Sequence, residues 1–531
     1  MIGRFAARGR VGAVLALVAV ALAGRAGAAE PSLPWADATA AWGLEAPLKG
    51  IMAHGAACGD ITGDGRLSLY VGGFADRPAE AYKPAAGPVA NVLLINEGGR
   101  FRDSGQAPLA VLARTSGAAM VDLDNDGRLD LYVSNNSKSG GLRVPNKVFR
   151  NTGGGKFTDV SDPDGAGLVM GGRSVGVLDY DGDSLLDLLV AEDQWAGGRT
   201  RLFRNRGGFR FEDVSEKAGL PKALSGLGVA TPDLNGDGRP DLFVSGANRL
   251  FLSKGDGAYR EAGSAPFQYP WVDGEGTPAG VVFADVNRDG LPDAVIVDHS
   301  QPGRLHLFLN EGLRDGVPVF RETTEEAGLA YRFPSWTPGR LHLKHAHAEV
   351  ADFDNDGWPD ILVAATYDAG GRDQPFVCRN LGGKSPRFQV PPVEKATAYF
   401  AAGPVADFDG DGRPDILLAS WFPEIPSRLL LNRHAARHWL GVRVQGRTMN
   451  RMGIGAKVSV FQVGRLGKPE ALLGFREIGI SDGFCTGHEA SVHFGLGDVT
   501  RCDVEVVLPF GKGAVRQTDV AVDRVIQVAE P

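Results

Sequence analysis

Asp122-Leu123-Asp124-Asn125-Asp126-Gly127-Arg128-Leu129-Asp130, followed by Leu131-Tyr132-Val133, places aspartates at positions 1, 3, 5 and 9 of a nine-residue run with glycine at position 6. A hard cation such as Ca2+ takes roughly six to eight oxygens. Side chains on alternate residues of a tight turn, a carbonyl at position 7 and a closing carboxylate at position 9 supply most of them. The glycine permits the sharp bend. Without a cation, four carboxylates in one turn would repel one another. Position 12 is Val133 rather than the glutamate of a helix–loop–helix calcium site, and the flanks are β-branched and aromatic. The run therefore reads as strand–loop–strand, with Asp130 in the closing role.

Working outward, the pattern occurs seven times, starting at Asp60, Asp122, Asp179, Asp233, Asp285, Asp352 and Asp407, at spacings of 62, 57, 54, 52, 67 and 55 residues. Each copy sits in a longer unit. A small-residue strand precedes the loop (Ser116 to Met120) and an apolar strand follows it (Asp241 to Val244). A second apolar strand ends in an asparagine turn (Arg201 to Asn205), and an aromatic opens the last segment (Phe211 to Leu220). Four short strands per repeat make one propeller blade. The expected fold is all-β: a seven-bladed β-propeller at 29–435 followed by a small β-rich domain at 436–531. Trp35 to Leu44 matches the end of a unit, like Phe320 to Leu329, yet it precedes the first loop. The seventh unit reaches Asn432 and lacks that ending. The N-terminal segment is therefore expected to complete the last blade and close the ring.

The copies differ in donor set. Asp122, Asp124, Asp126 and Asp130 are matched by Asp352, Asp354, Asp356 and Asp360, and by Asp407, Asp409, Asp411 and Asp415. Two copies carry asparagine at position 3: Asp233, Asn235, Asp237 and Asp241, and Asp285, Asn287, Asp289 and Asp293. The amide still offers an oxygen, so these five copies are expected to hold calcium. Asp179, Asp181, Asp183 and Asp187 make a sixth, with Ser184 straining the glycine position. The first keeps only Asp60 and Asp64, with Thr62 and Ser68 at positions 3 and 9, and is expected to bind poorly if at all. Metal at an equivalent corner of every blade reads as structural, because it pins the turn between two strands.

The repeat resembles the FG-GAP (VCBS) repeats of integrin α-chain propellers, over about residues 35–435. That resemblance implies calcium between the first two strands of each blade. Residues 436–531 resemble the ASPIC/UnbV domain that follows such propellers in the cartilage acidic protein family. The matching residues are Trp439 to Val444, Asn450-Arg451, Gly453 to Val458, His493 to Gly497 and Val504 to Pro509. Gly483-Phe484-Cys485-Thr486 departs from the Gly-Tyr-x-Ser-Gln run common there.

A net charge of −8 and the absence of a basic run argue against nucleic acid and anionic membrane as partners. Arg4, Arg8 and Arg10, the apolar stretch Val11 to Leu22, and Ala26-Gly27-Ala28 read as a signal peptide over 1–28. Its core is too short to span a bilayer. The mature chain is expected outside the cytoplasm, secreted, periplasmic or on the cell surface, as a monomer without a membrane span. Of four cysteines, Cys58 and Cys378 fall at apolar strand positions and read as buried thiols; Cys485 and Cys502 are candidates for a bridge.

Gly172-Arg173-Ser174-Val175-Gly176 matches a hydrolase motif, but it lies on a strand before a metal loop rather than at a strand–helix elbow. His345 and His347 are expected on one face of a strand, with His342 and His54 nearby in the repeat pattern, and satisfied there more readily than as a metal or ligand site. Trp195, Trp271, Trp336 and Trp421 sit in loops. No catalytic residue is assigned. The reading is a calcium-stabilised binding, adhesion or scaffold module for a protein or glycan ligand, with a polysaccharide lyase or hydrolase, or a lectin, as alternatives.

Overall fold

The computed structural model describes residues 34–83, 87–136, 144–161, 168–194, 196–263, 266–267, 278–299, 304–331, 345–369, 372–392, 396–481 and 484–531. Residues 33–531 form one compact unit. The signal-peptide segment, His342, Trp195, Trp271 and Trp336 lie outside the described residues.

The chain is all-β. Each repeat folds as a four-stranded antiparallel meander, as in the second: Thr115–Val121, Asp130–Asn135, Lys147–Asn151 and Phe157–Asp159. The aspartate loop joins the first strand to the second, so Val121 pairs with Asp130 across it. First strands are rich in alanine and glycine and fully buried, as in Ala53–Gly59 and Thr115–Val121. Their small side chains let neighbouring sheets approach, and a Cβ on Gly117 would sit 2.5 Å from the Arg173 carbonyl oxygen. Leucine, valine and phenylalanine of the second and third strands fill the space between sheets, for example Leu131, Val133 and Phe149. The sixth and seventh sheets are further joined by pairing of Ala365–Tyr367 with Ala396–Tyr399.

The seventh sheet takes its outer strand from the N-terminal segment. Trp35–Asp37 pairs antiparallel with Arg428–Asn432, Trp35 opposite Asn432. Thr39 secures the junction, its Oγ1 accepting the Leu429 N–H at 3.0 Å.

Asparagines at the ends of third strands tie consecutive repeats. Asn151 Nδ2 donates to Leu129 O of its own loop (3.1 Å) and to Ile61 O of the preceding loop (2.8 Å). Asn205 does the same to Leu186 and Leu123, Asn380 to Pro359 and Val286, and Asn432 to Pro414 and Phe353. Asn96 of the first repeat donates to Leu67 O (3.2 Å) and to Phe408 O of the seventh loop (3.3 Å).

The C-terminal residues build a three-stranded sheet (Val492–Gly497, His438–Gln445, Arg524–Ala529) and a four-stranded one (Leu472–Glu477, Lys457–Gln462, Arg501–Val507, Ala514–Ala521) around a shared core including Leu440, Val458 and Val504. They lie against the aspartate-loop ends of the repeats. Phe510 N–H donates to Gly238 O, Gly497 N–H to Asn355 O, and Ser184 Oγ to Thr448 O. From this layer Phe484–Gly487 reaches between the innermost strands, and Thr486–Gly487 pairs parallel with Ala56–Ala57. Glycine is required there, since a Cβ on Gly487 would lie 2.5 Å from Ala118 O.

All four cysteines are free and buried, so Cys485 and Cys502 form no bridge. Cys485 lies in the central segment, its N–H donated to Ser174 Oγ, while Cys502 belongs to the C-terminal core.

Candidate metal centres

Each loop is shaped by the carboxylate at position 1. Asp122 Oδ1 accepts the Asp126 N–H and Oδ2 the Gly127 N–H; Asp233, Asp285, Asp352 and Asp407 accept equivalent bonds, and Asp179 accepts from Gly182 and Ser184. The bend needs two left-handed residues. Position 6 has φ between 77° and 95° throughout the loops, Ser184 included, and position 4 is left-handed as well, from Asn355 at 54° to Gly182 at 79°. Ser184 adopts the strained conformation expected of it. The requirement at position 4 was readable in principle: glycine or asparagine stands there in every copy except the one with Arg288.

In four loops three carboxylates converge. Oxygens of Asp122, Asp124 and Asp130 lie within 4.8 Å of one another, as do those of Asp179, Asp181 and Asp187, of Asp352, Asp354 and Asp356, and of Asp407, Asp409 and Asp415. At an effective dielectric of ~20, two such charges at this distance repel by roughly 3–4 kcal/mol. Burial, reinforced by the neighbouring carboxylates, pushes Asp122, Asp179 and Asp407 up to about 6 and Asp130 to about 7. Burial likewise pushes Asp187, Asp352 and Asp415 well above the usual carboxylate range.

The donor set fits a hard cation on a second count. Asp124 Oδ1, Asp181 Oδ1 and Asp409 Oδ1 are buried and have no hydrogen-bond partner among the described residues. All three are at position 3. An oxygen left bare in a buried turn is costly unless something positive meets it. The groups could hold a metal ion through these oxygens.

Position 9 has a further task. Asp130 Oδ2 accepts the Leu123 N–H (3.1 Å) and Oδ1 the Asn151 N–H (2.8 Å), so it ties the loop to the third strand. Asp187, Asp241, Asp293, Asp360 and Asp415 repeat both bonds. In the first loop Ser68 Oγ accepts only the Asn96 N–H, at 3.3 Å. There Asp60 accepts from Gly63, Asp64 and Gly65, and Asp64 pairs with Arg66 at 2.5 Å. This loop is satisfied by its own groups.

In the loops of Asp233 and Asp285, Asn235 and Asn287 accept the Asp237 and Asp289 N–H groups and donate to the same residues' carboxylates. Lys457 of the C-terminal domain also reaches Asp233 Oδ2 at 2.6 Å, and the half-buried Glu477 accepts the Asp233 N–H. A fixed ammonium thus already faces this carboxylate.

Sequence reasoning missed these basic residues. Arg150 lies 2.8 Å from Asp124, Arg204 2.8 Å from Asp181, Arg379 2.7 Å from Asp354 and Arg433 2.8 Å from Asp409. Their signal was an arginine beside the third-strand asparagine, as in Phe149-Arg150-Asn151 and Phe203-Arg204-Asn205.

The histidines do not form one site. His345 is buried, bonds the Tyr331 hydroxyl at 3.0 Å and is held at about 3 by burial. His347 instead lies 3.0 Å from Glu349, which His488 of the C-terminal domain also approaches at 3.0 Å. Burial alone would raise Glu349; the two histidines hold it at about 2. Ser174 is buried, donates to Leu227 O at 2.8 Å and accepts from Cys485, a structural role.

The FG-GAP-like repeat pattern matches residues 84–133, 179–244, 233–296, 287–363 and 352–418, together more than half of the chain. The ASPIC and UnbV pattern matches 446–531. Cartilage acidic protein 1 of Homo sapiens is 28% identical over 495 residues, covering 86% of this chain and 69% of its own length. The Xenopus tropicalis protein of that name is 27% identical, covering 90% and 74%. Integrin alpha pat-2 of Caenorhabditis briggsae is 23% identical over 232 residues, or 37% and 18% of the two chains. The crystal structure of the V. cholerae biofilm matrix protein Bap1 aligns over 93% of this chain and 71% of that one at 13% identity, with a TM-score of 0.32, too low to equate the folds. Seven aspartate loops on four-stranded sheets, matched by one repeat pattern over most of their length, place the chain in the FG-GAP-like repeat family, to which it belongs.

Proposed function

We propose that this chain is a seven-bladed β-propeller, over 29–435, capped by the ASPIC/UnbV domain at 436–531. It works outside the cytoplasm as a calcium-stabilised binding, adhesion or scaffold module. The Asn96 bond to the seventh loop, together with Trp35–Asp37 on the seventh sheet, supports the closed ring. The names of the relatives, an integrin alpha chain and cartilage acidic protein, support the adhesion reading. The export-like start of the sequence supports the location.

The observation that carries the calcium assignment is the buried, bare position-3 oxygen in three carboxylate clusters. Asp122, Asp124, Asp126 and Asp130 and their counterparts would hold the ion, which would supply positive charge at the turn and thereby fix two strands. The C-terminal domain rests on these turns, so the ions would also set the surface it docks against. Among the described residues no helix is long and apolar enough to cross a membrane.

Elemental analysis and thermal unfolding test the assignment. The mature protein should carry about five to six equivalents of calcium. Chelation should lower its melting temperature, and added Ca2+ should restore it. A metal-free preparation indifferent to chelator would end the reading.

A further inference from the structure

A second site lies at the far ends of the inner strands. The loops occupy one end of each sheet; His54, Arg114 and Arg173 stand at or before the opposite ends of the first strands of repeats one to three. Phe74, His299 and Trp421 follow second strands at that same end. These six residues line a cavity of about 180 Å3. Behind the lining residues the C-terminal domain packs close, with Phe484 5.5 Å from the His54 ring and Cys485 N–H bonded to Ser174 Oγ.

Among the described residues no acid lines the cavity. Arg173 is anchored from behind by Asp193 at 2.6 Å, both side chains less than a tenth exposed, and its Nη1 faces His54 Nε2 at 3.1 Å. A guanidinium only donates, so Nε2 accepts and the ring is neutral. Burial, then the charges of Arg173, His299 and Arg114, hold His54 well below the usual histidine range. Arg114 lies 4.1 Å over the Phe74 ring and pairs with Asp76 at 2.9 Å, but its Nε is buried without a hydrogen-bond partner among the described residues. Trp421 stands edge-on to Phe74 and His54.

Two guanidiniums, each fixed by an aspartate that is not among the lining residues, present donors suited to a carboxylate. The volume is that of roughly six waters at ~30 Å3 each, more than a carboxylate alone fills. The surplus is walled by aromatic side chains, Tyr399 among them, and by histidines, suited to a ring bearing hydroxyls. We propose that this cavity binds a uronate, free or as the terminal residue of an acidic glycan. The proposal gives the binding reading above a ligand class, and it does not depend on calcium.

Titration calorimetry of the full mature chain tests it, with glucuronate, an oligouronate, glucose and benzoate as probes. Saturable binding of glucuronate, with glucose and benzoate silent, is expected. Oligouronate binding at one equivalent per chain end marks a terminal residue as the ligand, and binding of glucuronate alone marks the free sugar; either supports the site. Arg114→Gln should weaken binding by about tenfold or more, and Arg114→Lys by less. Calcium content and melting temperature, measured on the same samples, report folding separately and would expose failure of the scaffold reading. Silence toward both uronates in folded wild-type protein, equal binding of glucose or benzoate, or unchanged affinity in folded Arg114→Gln would overturn the proposal.

Discussion

Replacing Asn96 by alanine should destabilise the whole repeat array, although Asn96 lies near a loop of the first repeat. Its Nδ2 bridges Leu67 O and Phe408 O at 3.2 and 3.3 Å, and its Oδ1 accepts the Gly98 N–H at 2.9 Å. The side chain is 2% exposed, so water cannot freely replace these bonds. At about 1 kcal/mol net per bond, the loss is roughly 3 kcal/mol. Of that, about 1 kcal/mol belongs to the contact between first and seventh repeats. Asn151→Ala, which removes equivalent bonds to Leu129, Ile61 and Gly153, provides the scale. Urea unfolding in saturating calcium, followed by tryptophan fluorescence, measures both. If the ring is closed as argued, the two midpoints fall together with the slopes unchanged. An Asn96→Ala loss of only about 2 kcal/mol, about 1 kcal/mol short of that of Asn151→Ala, would refute the closing contact.

Asp130→Asn should cost about 2–3 kcal/mol in the same assay, because an amide NH2 would confront a backbone N–H that the carboxylate now accepts; Asp64→Asn, in the self-satisfied first loop, should stay within about 1 kcal/mol. The chelator-induced drop in melting temperature should shrink as pH falls from 7.5 to 5. Asp122, Asp179 and Asp407 have folded values near 6, above the unfolded one, so the metal-free folded state binds extra protons in that window and gains stability as pH falls, while protons compete with calcium. An undiminished drop at pH 5 would contradict this. The four thiols should resist an aromatic disulfide reagent in native protein and react together in denaturant, since burial raises all four, Cys485 to about 12 and Cys502 to about 11. Lys457→Met should expose the C-terminal domain to limited proteolysis by stranding the buried Asp233 carboxylate, at a cost of about 3–5 kcal/mol; wild-type resistance would show that the ion pair does not hold the domain.

The aspartate loops were legible because everything they need is local. Asp122, Asp124, Asp126 and Asp130 meet within one turn, and the glycines and asparagines that permit the bend stand between them. The four-stranded repeat was legible for a related reason, since all but the seventh meander are built from strands consecutive in sequence. The N-terminal strand on the seventh sheet could also be anticipated, because Trp35 to Leu44 and the unfinished seventh unit are complementary pieces of one pattern.

Other features depend on partners that the chain brings from afar, and no spacing announces them. Asn96 meets Phe408, Lys457 meets Asp233, and Thr486 pairs beside Ala56 only once segments far apart in the chain pack together. His345 and His347 are satisfied by neighbours, as expected, but which carboxylate, carbonyl or hydroxyl each finds is a property of the packed neighbours, not of alternation along a strand. By itself the sequence determined the repeats, their turns and the ligands within each turn, which are short-range consequences of steric and charge patterning. Tertiary structure alone decided which side chains share the buried centre, because that depends on how small inner-strand residues let the sheets and the C-terminal segment approach.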